Sequence, residues 1–383
     1  MKKIFLIIFM FFISLTIVHA NDKNNNIPNA RNGLLIEASS GKILYEKNKD
    51  ERVAVASMTK MVAQIIILEN IESGNLKWDE VITASSNASG MGGSQIYLQT
   101  GEKMTVRDLM KGITMASAND ATVALAERIA GTEDNFVKLM NEKVKKMGLK
   151  NTVFKNCTGL DEDGHYSSAY DMAMIAKELL IHEQILEFSS VYEDYLRVNT
   201  SNKFWLVNTN KLVRFYDGAD GLKTGFTDAA KYCMAVTAKR DNMRLIAIVL
   251  GEDSGKVRNK ETMELLDYGF NLYKVDLIKT KDDKVDSIKI DKANKKEISI
   301  YPKEDITILG KKSDVSLNYD IEVKVNDVNL PVKKNSVVGK IIIKSGNKNI
   351  MEVDAIVKED INKMGFLQMY GNMLKKLLTG EIL

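Results

Sequence analysis

The sequence predicts an α/β (α+β) chain: a domain with an antiparallel sheet flanked by helices, then a small all-β domain, then a C-terminal amphipathic helix. Three observations predict this. Hairpin-like strand patterns stand near both ends of residues 21–274, with helical periodicity between them. After Tyr273 the composition shifts to Lys, Asp and β-branched residues. A broad apolar stripe at helical spacing then occupies Glu359 to Leu383. At 383 residues the chain is long enough for two domains with their own cores.

The elements follow in order. Met1-Lys2-Lys3 is a basic start, Ile4 to Val18 is apolar, and Val18-His19-Ala20 fits a small-x-small cleavage site. Residues 1–20 therefore read as a signal peptide, too short in its apolar run for a spanning helix. Leu34–Ile36 and Ile43–Tyr45 flank Ser39-Ser40-Gly41-Lys42, which predicts a hairpin. Met61, Ile65, Leu68 and Ile71 predict a helix opened by Ser57 and stopped by Gly74. Val106 to Met115, with Thr105 as N-cap, and Ala121 to Ile129, closed by Gly131, predict two more. Tyr232 to Ala238 and Met243 to Leu250 flank an Arg240-Asp241-Asn242 turn, a second hairpin. A last helix, Val257 to Tyr273, places Met263, Leu266, Phe270 and Tyr273 on one face.

The all-β domain is expected over 275–358. Val315, Leu317, Tyr319, Ile321, Val323 and Val325 alternate strictly, and Ile341–Lys344 with Ile350–Val357 reads as a hairpin around Ser345–Lys348. It carries no catalytic constellation and reads as a stand-off or docking module. In the final stretch, 359–383, Met364, Leu367, Met369, Tyr370, Met373, Leu374, Leu377 and Leu378 form the stripe. Gln368, Asn372, Lys375, Lys376 and Thr379 form the other face. This suits a helix lying on a membrane surface; the competing reading is a helix packed on the β domain.

Composition excludes several functions. A net charge of +3, from 54 basic and 51 acidic residues, gives no nucleic-acid signature. Two cysteines, Cys157 and Cys233, make no disulfide framework, and Cys233 in an apolar strand reads as a buried free thiol. Of three histidines, His19 falls in the signal, His165 in a polar loop and His182 in a helical stretch expected to be exposed. There is no His-x-x-x-His and no Cys/His cluster, so no metal, no cofactor and no histidine-based triad is expected.

Three short motifs carry the chemistry. Ser57-Met58-Thr59-Lys60 puts a hydroxyl and an amine one turn apart, at the positive end of a helix. A serine hydroxyl is a poor nucleophile until a base removes its proton, and Lys60 can do so only as a neutral amine. Burial, or a second cation such as Lys223, would lower its pKa enough. Ser117-Ala118-Asn119 lies between two helices, where Ser117 can relay a proton and Asn119 can hold an amide; the ordinary alternative is helix capping. Lys223-Thr224-Gly225 stands on a strand-like run, with a cation and a hydroxyl for an anionic group and a glycine that lets a ligand approach the backbone. S-x-x-K occurs three times, at Ser39, Ser57 and Ser345, and S-x-N five times, so each is weak alone. In this order and on these elements they form a known acyl-transfer signature.

On these residues the chain resembles the low-molecular-weight penicillin-binding proteins, specifically the serine-type D-alanyl-D-alanine carboxypeptidases. The similarity runs from Asn29 to Tyr273 and includes Asn32–Asn48, Gly92-Gly93-Ser94, Asn151–Ala173 and Arg258–Phe270. The resemblance implies a β-lactamase/transpeptidase-like catalytic domain. It implies Ser57 as acylated nucleophile, Lys60 as general base and Ser117 as proton relay. It implies Asn119 on the substrate amide, with Lys223, Thr224 and Arg258 at the terminal carboxylate. The oxyanion hole would be the N–H groups of Ser57 and Phe226, with Gly225 between the substrate and the strand. The implied substrate is a peptidoglycan stem peptide ending in D-Ala-D-Ala, with β-lactam antibiotics as covalent inhibitors. The implied location is the outer face of the bacterial cytoplasmic membrane. Two departures are Ala118, where bulkier residues or glycine are frequent, and Lys231, where many members have glycine. The alternatives are a silent muropeptide-binding protein, a D,D-endopeptidase or a β-lactamase. No Glu-x-x-x-Asn lies between Asn119 and Lys223, which weakens the last.

Overall fold

The structure, a computed structural model, describes residues 26–370 apart from 291–292, 296, 315–317, 327, 347 and 367–369. The expected signal peptide and most of the expected terminal helix lie outside the described residues. β1 (Asn32–Glu37) and β2 (Ile43–Lys47) form the first predicted hairpin. A 3-10 turn, Ala56–Thr59, leads into α1 (Lys60–Glu72). A short ribbon, β3 (Val81–Thr83) with β4 (Lys103–Thr105), encloses α2 (Ser86–Ser89). Helices α3 (Val106–Met115), α4 (Asn119–Ala130), α5 (Glu133–Lys146) and α6 (Ala169–Leu179) follow. Then come α7 (Leu186–Ser189), the ribbon β5 (Glu193–Leu196) with β6 (Phe204–Val207), and α8 (Leu212–Phe215). β7 (Ala219–Thr227), β8 (Lys231–Arg240), β9 (Met243–Glu252) and α9 (Gly255–Leu272) complete the domain.

The main sheet has the order β2-β1-β9-β8-β7, with every pair antiparallel. Period-two alternation divides β9 between two cores. Leu245, Ala247 and Val249 pack with Leu265, Leu266 and Phe270 of α9. Ile246, Ile248 and Leu250 join the larger core on the other face, which holds α1. Burial on both sides explains the continuous apolar run of this strand. Caps fall where side-chain oxygens meet orphan helix N–H groups: Thr105 accepts from Asp108 N at 3.1 Å and Ser254 from Val257 N at 3.2 Å.

Helix α1 departs from the expected one-sided stripe. Every residue from Lys60 to Leu68 is buried, because Val62, Ala63, Ile66 and Ile67 cover the faces that the Met61–Ile71 spacing leaves open. His182 is also not exposed: it is buried, with Nδ1 2.8 Å from Glu72 at the end of α1. Cys157 and Cys233 are both free and buried.

β10 (Tyr273–Lys279) begins one residue after α9 and pairs with β13 (Ile306–Lys311). A five-stranded sheet follows in the order β11 (Asp286–Ile288), β12 (Ile298–Pro302), β16 (Lys348–Ile356), β15 (Val337–Ser345), β14 (Asp320–Val325). The predicted β15–β16 hairpin is present. In the predicted alternating strand, Val315 and Leu317 lie outside the described residues. The chain does not turn helical at Glu359: Ile361 bridges to Val332 and Lys363 to Ala293, so the β unit holds it that far. No helix among the described residues is long and apolar enough to cross a membrane.

Candidate active site

Ser57 sits in the 3-10 turn and Lys60 opens α1, so both lie where the chain enters the core. Lys60 Nζ is 2.8 Å from Ser57 Oγ and 2.6 Å from the Thr158 carbonyl oxygen. The carbonyl accepts from the amine in either protonation state. That leaves the nitrogen lone pair of a neutral lysine free to accept the serine proton. Lys60 is fully buried, and burial pulls its pKa from 10.5 to about 7, against the opposing pull of Cys157 and Asp120. A general base near 7 is poised to work at neutral pH. The second cation is close enough to interact with it. Lys223 is also buried and held well below its ordinary value, by burial first and then by Lys60 and Arg258. The repulsion between the two ammonium groups is mutual, so it adds to burial in favouring a neutral amine at the site.

The backbone brings these elements close. A β-carbon on Gly225 would lie 2.8 Å from Val55 O and 3.2 Å from Ser57 N, so only glycine lets β7 press against the nucleophile's turn. Gly159, at φ +85°, packs against the other side: its β-carbon would fall 2.0 Å from Ala56 O. Ala56 itself is held at φ +49° and Ser117 at φ +63°, left-handed conformations that non-glycine residues adopt at a cost.

Neither Ser117 nor Asn119 caps a helix. Ala118 is the N-cap of α4, and Asn119 belongs to the first turn rather than to the loop. Asn119 Nδ2 donates to Gly92 O at 2.6 Å, and Asn119 N donates to Ser94 O at 2.7 Å. Asn119 Oδ1 and Ser117 Oγ are buried without a hydrogen-bond partner. Such atoms cost about 1–3 kcal/mol each unless a ligand satisfies them. Thr224 Oγ1 donates to Thr209 Oγ1 at 2.8 Å, and Thr209 N donates to Met115 O at 3.0 Å, which ties β7 to the loop carrying Ser117. Lys223 Nζ donates to Thr224 O at 2.8 Å. The Phe226 side chain is half exposed, its ring 4.4 Å from that of Tyr232. Arg258 is buried on α9; its guanidinium donates to Asn259 Oδ1, lies 6.0 Å from the centroid of the Tyr232 ring, and its charge helps to lower the Lys223 pKa. Lys231 stands at φ +56°, a backbone position suited to glycine.

Sequence reasoning missed the residues that hold the Thr158 carbonyl. Asn156 Oδ1 accepts from Thr158 N at 3.3 Å, Thr158 Oγ1 at 3.2 Å and Gly159 N at 2.7 Å. Glu133 Oε1 accepts from Cys157 N at 3.1 Å and Cys157 Sγ at 3.2 Å. The Asn-x-Thr-Gly turn pattern was the available signal for Asn156; Glu133, on α5, left none. His165 is likewise structural. Its Nδ1 accepts from Lys155 N at 3.2 Å, so the ring proton is on Nε2, 2.8 Å from Thr59 Oγ1. Burial lowers its pKa to about 4, which keeps it neutral.

Residues 19–254 match the family model described as D-alanyl-D-alanine carboxypeptidase, and residues 273–363 match that of the penicillin-binding protein 5 C-terminal domain. The chain is 47% identical over 339 residues to the D-alanyl-D-alanine carboxypeptidase DacF of Bacillus subtilis, covering 88% of this chain and 87% of that protein. Penicillin-binding protein 5 from Haemophilus influenzae has the same fold, with a TM-score of 0.70 and 30% identity over 88% of this chain and 98% of that one. Penicillin-binding protein D2 from Listeria monocytogenes, solved in its ampicillin-bound form, is 34% identical. It covers 63% of this chain and 98% of its own, with a TM-score of 0.57.

Proposed function

The chain belongs to the D-alanyl-D-alanine carboxypeptidase family, and we propose that Ser57 is its acylated nucleophile and Lys60 the base. It removes the terminal D-Ala from peptidoglycan stem peptides and binds β-lactams. The observation that carries the residue assignment is the 2.8 Å contact between Ser57 Oγ and a fully buried Lys60 whose pKa is about 7. Neutral Lys60 takes the hydroxyl proton as Ser57 Oγ attacks the carbonyl of the penultimate D-Ala. The oxyanion accepts hydrogen bonds from Ser57 N and Phe226 N. Ser117 passes the proton to the leaving amine, and the two electrons of the scissile C–N bond leave with that nitrogen. Asn119 donates to or accepts from the substrate amide. Lys223 and Thr224 hold the free carboxylate, and Arg258 adds positive charge behind them. Water then attacks the acyl-enzyme and restores Ser57.

The tail assignment belongs here as well. Residues 1–20 direct export, and the stripe within 364–383 holds the mature enzyme at the outer face of the cytoplasmic membrane. The pair Lys375 and Lys376 beside the apolar stripe supports this reading. The β domain serves as the stand-off between that surface and the catalytic unit.

The test of the site is covalent labelling by a fluorescent penicillin together with D-Ala release from a synthetic stem peptide. Ser57→Ala abolishes both. Labelling that persists in Ser57→Ala overturns the nucleophile assignment.

A further inference from the structure

Apart from the nucleophile's surroundings, the catalytic domain has a cleft of about 840 Å³ between the 96–105 segment and the β5–β6 ribbon. Its lining includes Tyr97, Glu102, Arg197, Thr200, Asn202 and Phe204. Two of these, Tyr97 at φ +57° and Arg197 at φ +54°, are held in left-handed backbone. Bulky residues adopt that conformation only where the surroundings enforce it, and such positions gather at ligand clamps. Here the enforcement is visible. The buried carboxylate of Asp120 accepts from Ile96 N at 3.2 Å and Leu98 N at 2.9 Å, on either side of Tyr97. Arg197 donates to Ile96 O at 3.0 Å, Tyr97 O at 3.5 Å and Glu102 at 2.6 Å. The outcome is a fixed backbone that presents a tyrosine ring to solvent, 68% exposed and edge-on to Phe204 with ring centroids 5.9 Å apart.

An aromatic ring presented in this way gains by being covered. The same cleft is lined by the Asn202 amide and by Thr200, whose hydroxyl donates to Arg197 O and accepts from Asn202 N, while Arg197 pairs with Glu102 and the lining residues Lys103 and Asp108 are of opposite sign. A π face for polarised C–H groups, with an amide in the same cleft and lining charges that balance, fits a neutral pyranose bearing an acetamido group.

We propose that this cleft binds an amino sugar of the glycan strand that carries the stem peptide. The proposal rests on the carboxypeptidase reading and adds a saccharide subsite to it. The cleft is tied to the catalytic elements through the chain. Asp120, which holds the Tyr97 loop, is the residue after Asn119. From the attacked carbonyl back to the sugar the stem has about four residues, at most roughly 14 Å when extended.

The experiment compares D-Ala release from a free pentapeptide with release from the same peptide on its N-acetylglucosaminyl-N-acetylmuramyl disaccharide. The wild-type KM is expected to be about tenfold lower for the disaccharide-linked substrate. Tyr97→Ala removes that advantage and leaves kcat/KM on the free peptide within about twofold, while Tyr97→Phe retains it. Equal wild-type KM values, or equal losses on both substrates in Tyr97→Ala, overturn the subsite. A second readout does not need turnover: saturation transfer from protein to the peptide-free disaccharide is expected in wild type and absent in Tyr97→Ala. Its absence in wild type also overturns the proposal. A wild-type enzyme that releases no D-Ala from the free pentapeptide would strike the carboxypeptidase reading instead, with saturation transfer still deciding the cleft.

Discussion

Replacing Lys60 with methionine should destroy activity and yet stabilise the fold at neutral pH, and the gain should vanish in base. The magnitude follows from burial. In the unfolded chain Lys60 keeps its proton up to about 10.5, whereas in the fold it releases it near 7. A drop of that size corresponds to about 5 kcal/mol, fully charged against the fold below pH 7 and about 4 kcal/mol at pH 7 itself. Between pH 7 and 10.5 the unfolded state binds more protons, so the wild type gains stability as pH rises and the penalty is gone above 10.5. Methionine carries no such penalty. It leaves the Thr158 carbonyl and the Ser57 hydroxyl without the amine, which costs about 2 kcal/mol. The variant should therefore be about 2 kcal/mol more stable than wild type at pH 7 and less stable near pH 10. Urea unfolding followed by tryptophan fluorescence reads this domain alone, because Trp78 and Trp205 are the only two tryptophans and both lie in it. A difference that is flat with pH, or that grows toward base, would refute the claim that burial sets the Lys60 pKa.

The same pKa should appear in catalysis: the acylation rate constant with a fluorescent penicillin should fall about tenfold per pH unit below about 7, and a level profile down to pH 5 would place the base elsewhere. Lys60→Arg, which keeps the charge but cannot accept a proton, should lose nearly all turnover; near-normal D-Ala release in it contradicts the base assignment. Lys223→Ala should lose about 10- to 100-fold more on a peptide ending in a free carboxylate than on its C-terminal amide, measured as kcat/KM, and equal losses would assign Lys223 to a different task. Lys231→Gly should relieve the left-handed strain at φ +56° and raise stability by up to about 1 kcal/mol in the same urea assay, whereas a loss would show that the lysine side chain repays its backbone. Deleting residues 364–383 should abolish flotation with anionic vesicles and spare hydrolysis of small peptides; a lowered melting temperature of the β domain, with no flotation of the intact protein, would instead mean that the segment packs on protein.

Much of the fold was legible because its signals are local. Thr105 and Gly131 bound their helices through groups that act within one turn, and the two hairpins around Ser39 and Asp241 follow from alternation and turn residues. The proximity of Ser57 and Lys60, the proposed nucleophile and base, was legible for the same reason, since three residues along the chain fix their separation. What escaped depends on contacts distant in sequence. Nothing near His182 announces Glu72, and nothing near Cys157 announces Glu133. Local spacing also misjudged α1. Periodicity sees one apolar face, but a helix surrounded by protein is apolar on all of them. Burial of Lys60 was expected from what its chemistry requires, but the all-round enclosure of α1 that supplies it was not.

That depth also makes the enzyme its own folding gauge. The helix that carries Lys60, the proposed base, is buried from Lys60 to Leu68 in the larger core, so loosening of that core reaches the proposed reaction centre. Heat inactivation and loss of tertiary structure should then share one rate, with no partly melted form that still hydrolyses peptide. Selection for function and selection against misfolding act on the same nine residues, Lys60 to Leu68. Penicillin labelling of a crude extract consequently counts intact molecules as well as active ones.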